Sequence, residues 1–202
     1  GFLAISPPAN HYDLSFLAPC PASGLIVTNE ADIAEGLDAI AFPGMTANFD
    51  AAKSAALALT MLDWRDFGAA YGAAMIATAR AFANALKDLG LPVFETAQGA
   101  TSSHQFALEA KGFGGGQAAS KTLRKAGFLA CGIGLPIAPV EGDMNGLRIG
   151  TPELVRWGVT VDDIPEIAAL VAEALRSNDP ASIAPRTAAL RARFNKLHFM
   201  HG

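Results

Sequence analysis

The chain has 202 residues, with 19 acidic and 15 basic side chains and a formal net charge of −4 at pH 7. This length fits one large domain or one and a half small ones. The negative charge, and the lack of any Lys/Arg run longer than two, argue against binding to nucleic acid or to an anionic membrane surface. No run of 18 apolar residues is present, so we expect no membrane-spanning helix.

Alanine is unusually frequent, with 41 copies, and its helix propensity predicts a helix-rich chain. The two cysteines, Cys20 and Cys131, do not make a disulfide framework. The first residues lack the basic flank and the long apolar stretch of a signal peptide, so we expect a cytoplasmic protein. Position 1 is not methionine, which suggests a processed chain or a fragment.

The first 24 residues contain four prolines and are expected to be irregular. Leu25–Thr28 is predicted to form a short buried strand. A helix is then predicted from an N-cap at Asn29 to Ala41, ended by Phe42-Pro43-Gly44. Because a lone buried strand leaves its backbone groups unpaired, we expect an upstream segment or another chain to pair with it.

The middle of the chain has helical periodicity. Apolar residues spaced by three and four predict helices over 49–62 and 64–89. The polar residues at 63–66 predict a solvated turn between them. Gly90 follows the second helix, in the position where glycine commonly ends helices.

Beyond Gly90, short strands alternate with helices. The predicted strands are Val93–Phe94, Gln105–Glu109, Phe128–Cys131 and Leu147–Ile149. The predicted helices cover 116–126, a stretch opened by a capping box at Thr160-Val-Asp-Asp163 and running to Arg176, and a last stretch ending near Phe194. The sequence thus predicts the end of one α/β unit, a helical connector and a compact α+β unit.

Arg148 is the main candidate for a functional residue. It lies in a predicted apolar strand that is followed by a predicted helix. Thr151 is the candidate N-cap of that helix, and Pro152 takes its first position. A guanidinium on a rigid strand is suited to bidentate binding of a carboxylate. The alternative is a structural role, in which Arg148 caps a helix or pairs with an acid.

Other candidates have weaker patterns. Gly114-Gly115-Gly116 could hold an anion at a helix N-terminus, but its spacing matches neither a dinucleotide fingerprint nor a P-loop, so we interpret it as structural. His104, at the start of a strand, is more typical of a packing residue than of a general base. His198 and His201 have no acid nearby in the sequence and are interpreted as tail residues. We find no metal-ligand spacing.

Several segments together resemble the serine hydroxymethyltransferase family. They are Gly24-Leu-Ile-Val-Thr-Asn29, Ala41-Phe-Pro-Gly44, His104, Gly146-Leu-Arg-Ile-Gly-Thr-Pro-Glu153 and Arg156-Trp-Gly158. The resemblance covers nearly the whole chain and corresponds to the C-terminal half of the family, close to the branch of 2-methylserine hydroxymethyltransferases and aldolases.

The resemblance implies a fold and a domain organisation. The expected fold class is α/β, the C-terminal part of a fold-type-I (aspartate aminotransferase-like) pyridoxal phosphate architecture with a small α+β C-terminal domain. Residues 1–49 would be a remnant of the large cofactor-binding domain, residues 50–89 the connecting helices, and residues 90–202 the small domain.

The resemblance also implies roles for particular residues. Arg148 matches the arginine that binds the α-carboxylate of the amino-acid substrate. The backbone N–H groups of Ala47 and Asn48 match the loop that reaches the phosphate of pyridoxal phosphate in a neighbouring subunit, so the protein is expected to be a dimer or larger oligomer. The use of tetrahydrofolate stays open, because Cys131-Gly-Ile-Gly-Leu-Pro136 replaces the Asn-Lys-Asn pattern of the family.

The cofactor lysine of the family falls at Phe16, and no lysine precedes Lys53. Because a Schiff base needs an amine, the chain alone is expected to be inactive, with no catalytic residue of its own. One hypothesis is a fragment or split subunit of a one-carbon transferase or aldolase, completed by an N-terminal half. The other is a non-catalytic paralogue that pairs with a full-length homologue.

Overall fold

The computed structural model describes residues 3–4, 26–45 and 51–201. It divides into a larger unit, residues 1–10 and 66–202, and a smaller unit, residues 11–65. The sequence candidates Phe16, Cys20, Gly24, Ala47 and Asn48 lie outside the described residues. The three-part domain division stays a prediction.

The smaller unit contains helix α1, Ala31–Ala39. Its N-cap position is occupied by Glu30, so the predicted N-cap at Asn29 is wrong by one residue. Residues 40–45 continue as a π-type turn in which Phe42 and Pro43 leave helical dihedral angles. The predicted end of the helix at this point is therefore confirmed.

The predicted strand at Leu25–Thr28 is wrong for residues 26–28, which form no strand. Ile26 and Val27 are 73% and 81% exposed. Branched apolar residues favour a strand where a neighbouring strand covers them, and none pairs with these residues within the described part of the chain. The expectation that an upstream segment or another chain pairs with this element stays a prediction.

Helix α2 is continuous over Ala51–Asp88, a length of 38 residues. The turn predicted at 63–66 is wrong, because that stretch contains neither glycine nor proline to interrupt the backbone hydrogen bonds. Asp63, expected to be solvated, is 5% exposed. Gly90 follows with a φ of +73°, as its predicted place after the helix requires.

Five strands are described. They are β1, Leu3–Ala4, β2, Gln105–Glu109, β3, Phe128–Leu129, β4, Cys131–Ile133, and β5, Gly146–Gly150. Strands β2, β5 and β4 form an antiparallel sheet in that order, and β1 pairs in parallel with β3. The central strand of the larger sheet is therefore β5, which carries Arg148.

Two predicted strands differ from the structure. The stretch 128–131 divides at Ala130, because β3 pairs with β1 while β4 pairs with β5. At 93–94, only Val93 makes a bridge, to Leu108, and the Phe94 N–H donates to the Ala107 carbonyl at 2.9 Å.

The remaining helices are α3, Gly116–Lys125, α4, Pro152–Arg156, α5, Ile164–Arg176, and α6, Ala184–Ala192. The predicted capping box before α5 is confirmed, since the Thr160 N–H donates to Asp163 Oδ2 at 2.9 Å. Among the described residues, no helix combines the length and the apolar character needed to cross a bilayer.

The hydrophobic core covers one face of the β2-β5-β4 sheet. Phe106, Leu108, Leu147 and Ile149 all point to this face, because they alternate along the strands and pair across them, and each is almost completely buried. The Phe82 ring of α2 packs edge-on against Phe106, with centroids 5.6 Å apart. Arg148 extends from the opposite face of the sheet.

Candidate functional site

Arg148 has small neighbours across both ladders of the sheet. The residues directly opposite are Ala107 on β2 and Cys131 on β4, and such cross-strand pairs share a face. Arg148 is half-buried, whereas Leu147 and Ile149 on either side of it are completely buried in the core. The strand is therefore held by its apolar face while it presents a guanidinium on the other face.

The end of β5 is fastened to helix α2. The Thr151 hydroxyl donates to the Met75 carbonyl at 2.8 Å and lies 3.1 Å from the His104 carbonyl oxygen. The Tyr71 hydroxyl donates to the Pro152 carbonyl at 2.9 Å. Pro152 begins α4 as predicted, but the Thr151 side chain does not cap that helix, since its hydroxyl reaches α2 instead.

His104 lies close enough to Arg148 for their charges to interact. Burial lowers the pKa of His104 below its ordinary value, and the positive charge of Arg148 lowers this pKa further. The imidazole is therefore mainly uncharged at neutral pH. The Thr151 N–H donates to the His104 carbonyl at 3.0 Å, which fixes the start of β2 against the end of β5. Sequence reasoning treated His104 as a packing residue and did not associate it with Arg148.

The loop between β4 and β5 is held by Asn145, which is 8% exposed. Its side-chain oxygen accepts from the Leu135 N–H at 2.6 Å, and its amide donates to the carbonyls of Leu135, Ile137 and Ala138. Leu135 packs over Gly146, where an added Cβ would lie 2.6 Å from Leu135 Cγ. The Cys131–Pro136 stretch is thus fixed beside the strand that carries Arg148.

The glycine run at 114–116 does not form an anion site. The N-terminus of α3 is already occupied by the chain's own Asp143, whose carboxylate accepts from the N–H groups of Gln117 and Ala118 at 2.9 and 3.0 Å. The hydrogen bond from Gln117 is the largest cause that lowers the pKa of Asp143. A Cβ on Gly115 would lie 2.4 Å from Asp143 Oδ2, so the glycine makes room for this cap. The structural interpretation is confirmed.

The interpretation of His201 as a tail residue without a nearby acid is wrong. His201 Nε2 lies 2.8 Å from Oδ2 of Asp66, and Asp66 is a residue of α2. The two residues are 135 positions apart in the chain, so no local pattern could have revealed the contact.

The fold resembles that of a solved enzyme. No protein-family model matches the chain. The structure of L-threonine transaldolase from Pseudomonas fluorescens matches with a TM-score of 0.74 and 21% identity, over 86% of this chain and 40% of that one. The predicted fold class is confirmed: the chain has the C-terminal architecture of a fold-type-I pyridoxal phosphate enzyme.

Sequence comparison identifies relatives of the chain. Alpha-methylserine aldolases of Ralstonia sp and Variovorax paradoxus are 56% and 57% identical over 181 and 180 residues, 89% of this chain. A serine hydroxymethyltransferase of Pyrobaculum arsenaticum is 32% identical over 90% of the chain. The predicted resemblance is confirmed: the chain is similar to the C-terminal part of the serine hydroxymethyltransferase family, with higher identity to the alpha-methylserine aldolases. It spans about two fifths of the length of these relatives.

Pyridoxal phosphate is the cofactor of this family. This chain contains only part of the residues that would hold it, because it spans about two fifths of the length of its relatives. No lysine precedes Lys53 in the sequence. The N–H groups at the start of α3, which could have received a phosphate, are bonded to Asp143 instead.

Proposed function

We propose that the chain is the substrate-binding C-terminal part of a pyridoxal phosphate enzyme that cleaves β-hydroxy-amino acids, and that Arg148 holds the α-carboxylate of the substrate. The observation that carries this proposal is the placement of Arg148 on the central strand of a sheet whose other face is closed by the core. A rigid strand reduces the conformational freedom that a guanidinium loses when it grips a carboxylate.

The chain's own residues would bind and orient the substrate. Arg148 donates two hydrogen bonds to the carboxylate, and the uncharged ring of His104 leaves Arg148 as the positive group of the pair. Thr151 and Tyr71 keep the end of the strand against α2. Carbon–carbon bond cleavage would be supplied by the cofactor, which acts as an electron sink when bound.

A partner would supply the cofactor lysine. This part of the proposal is supported by the sequence, which has no lysine before Lys53, and by the exposed apolar side chains of the smaller unit, which include Ile26, Val27, Phe42 and Met45. The partner is an N-terminal half or a full-length homologue. We further propose that Ala47 and Asn48 direct backbone N–H groups to the cofactor phosphate of the neighbouring subunit.

Aldol cleavage fits better than folate-dependent transfer. The relatives at 56% and 57% identity are named aldolases. Cys131 and Ile133 occupy β4 where the family resemblance leads us to expect the amide side chains of a folate site. Tetrahydrofolate is therefore left out of the proposed reaction, and a cytoplasmic location stays a prediction.

Reconstitution tests the proposal. The chain is co-expressed with the part of the Ralstonia aldolase that it does not span, and release of aldehyde from α-methylserine is measured with added pyridoxal phosphate. We expect activity only when both parts are present. Arg148→Gln should raise KM at least about tenfold, as the loss of a charge-assisted hydrogen-bond pair predicts, and Arg148→Lys should rank between it and the wild type.

Three outcomes would contradict the proposal. Turnover by the chain alone would refute the need for a partner's lysine. An unchanged KM in Arg148→Gln would remove the assignment of Arg148. Stable association with a full-length homologue, without any effect of Arg148→Gln on that complex's activity, would favour the non-catalytic paralogue.

A further inference from the structure

Residues 198–201 fold back from the end of α6 onto two other helices, and their contacts converge on Arg156. This arginine is the last residue of α4 and is 4% exposed. Its Nη1 donates to the carbonyls of His198 and Phe199 at 2.7 and 2.8 Å, and its own carbonyl accepts from the His198 N–H at 2.8 Å. A buried cation is thus bonded to the backbone of a segment more than 40 positions away.

Tyr71 of α2 joins the same cluster. The Arg156 guanidinium carbon lies 5.3 Å from the centroid of the Tyr71 ring, and the Phe199 ring stacks on Tyr71 with centroids 5.3 Å apart. The Tyr71 hydroxyl donates to Pro152, the first residue of α4. Both ends of α4 are therefore attached to Tyr71, the first through a hydrogen bond and the last through Arg156.

The far end of the segment is attached to α2 as well. His201 Nε2 lies 2.8 Å from Asp66 Oδ2, and the His201 ring lies 5.1 Å from that of Phe67. Residues 198–201 thus connect α4 with one full stretch of α2, from Asp66 to Tyr71. We call this segment the 198–201 clamp.

The backbone of the clamp has an unusual conformation that depends on its contacts. Phe199 has a φ of +59°, an unfavourable conformation for a non-glycine residue that persists only where the surrounding contacts offset its cost. Gly158 lies under His198, where an added Cβ would be 2.7 Å from His198 Nε2. Side-chain stacking and backbone hydrogen bonds together keep the segment in place.

Only Thr151 separates β5 from α4, so the position of α4 determines the end of the strand that carries Arg148. We propose that the 198–201 clamp is a positioning device for Arg148, with Phe199 and Arg156 as its positioning residues. This inference rests on the proposed carboxylate-binding role of Arg148. The clamp acts by fixing both ends of α4 on α2, and it touches neither substrate nor cofactor.

Two variants and a matched control test the inference. Phe199→Ala removes the stacking on Tyr71, and Arg156→Gln removes the charged donor to the clamp. Ile167→Val in α5 shortens a completely buried side chain that has no part in the clamp, and serves as a control for a loss of core packing elsewhere. Affinity for α-methylserine and amide hydrogen exchange are measured at a temperature where all four proteins are folded.

We expect Phe199→Ala and Arg156→Gln to weaken binding about fivefold or more, as a coupling of about 1 kcal/mol predicts. Exchange of the Thr151 and Val155 amide protons should accelerate in the same variants. Ile167→Val should lower the melting temperature but leave the affinity and these two amide protons unchanged.

Unchanged affinity with unchanged exchange at Thr151 and Val155 would overturn the inference, because the clamp would then contribute stability alone. Acceleration of exchange without weaker binding would also overturn it. The proposed function fails separately, if Arg148→Gln binds α-methylserine as well as the wild type does.

Discussion

The two units of the chain differ in how far their apolar side chains are buried. In the larger unit, the aromatic and branched side chains of α2, the sheet and α5 form one buried core. In the smaller unit, α1 buries no residue, and large apolar side chains on both sides of it, such as Val27 at 81% and Met45 at 82%, are exposed. The larger unit therefore completes a core with its own residues, whereas the described part of the smaller unit does not.

This difference indicates which unit is stabilised by burial of its own apolar residues. Burial of apolar area is the main stabilising contribution to a fold, so the larger unit has what it needs to keep Arg148 in place. Several large apolar side chains of the smaller unit are exposed, as residues of an interaction surface are before the partner binds. The proposed partner that brings the cofactor lysine fits the smaller unit, whose described residues form no core of their own.

The largest expected effect is on the free energy of unfolding, which a substitution in the larger unit should lower far more than one in the smaller unit. Phe82→Ala removes a completely buried ring from the larger unit and should cost about 3–5 kcal/mol in the free energy of unfolding. Val27→Ser changes an exposed side chain of the smaller unit and should stay within about 0.5 kcal/mol. Urea unfolding followed by circular dichroism measures both. Comparable losses in the two variants would contradict the contrast between the units.

A smaller effect is expected where β5 meets α2. Thr151→Val keeps the shape of this fully buried side chain but leaves the Met75 carbonyl without its hydroxyl donor, so we expect a loss of about 1–2 kcal/mol. Thr151→Ser keeps the hydroxyl and should lose less than Thr151→Val. Urea unfolding followed by circular dichroism measures the loss in both Thr151 variants. If serine proves as destabilising as valine, the hydrogen bond is not what fastens the strand.

The smallest effect is on pH dependence. The folded state holds the pKa of His104 below the ordinary value of 6.5, so the unfolded chain takes up this proton first as the solution is acidified. Well above pH 6.5, His104 should not change the free energy of unfolding. As the pH falls from 6.5 towards the folded-state pKa of His104, protonation of the unfolded chain should lower this free energy. Arg148→Gln should raise the pKa of His104, which proton NMR of the imidazole ring can follow.

Arg80→Gln is the matched control for that titration. Arg80 Nε donates to the Thr101 carbonyl at 3.3 Å, close to His104 in the same loop, but its charge is not among the causes of the His104 shift. A larger change in Arg80→Gln than in Arg148→Gln would show that Arg148 is not the charge that faces His104.

Features determined by neighbouring residues could be predicted from the sequence. The run Gly146–Glu153 predicted both the strand and the first residue of α4, because alternation and a proline at the first helical turn are local signals. The same holds for the capping box at Thr160, whose two members are three positions apart.

Features that depend on distant partners could not be predicted. The branched residues at 26–28 have the composition of a strand, but a strand also needs a neighbour to pair with. Thr151 is a residue type that commonly caps helices, but its hydroxyl donates to the Met75 carbonyl of α2 instead. The clamp on Arg156 joins positions more than 40 apart, and no local pattern indicates the contact between them.

The most direct test of the account is the NMR signal of the Arg148 side-chain Nε–H in a titration of the chain with α-methylserine. We predict a saturable shift of this signal, together with a rise in the pKa of His104 as the carboxylate offsets the positive charge of Arg148. If the signal stays unchanged at saturating ligand, or if the ligand binds Arg148→Gln equally well, Arg148 is not the carboxylate-binding residue.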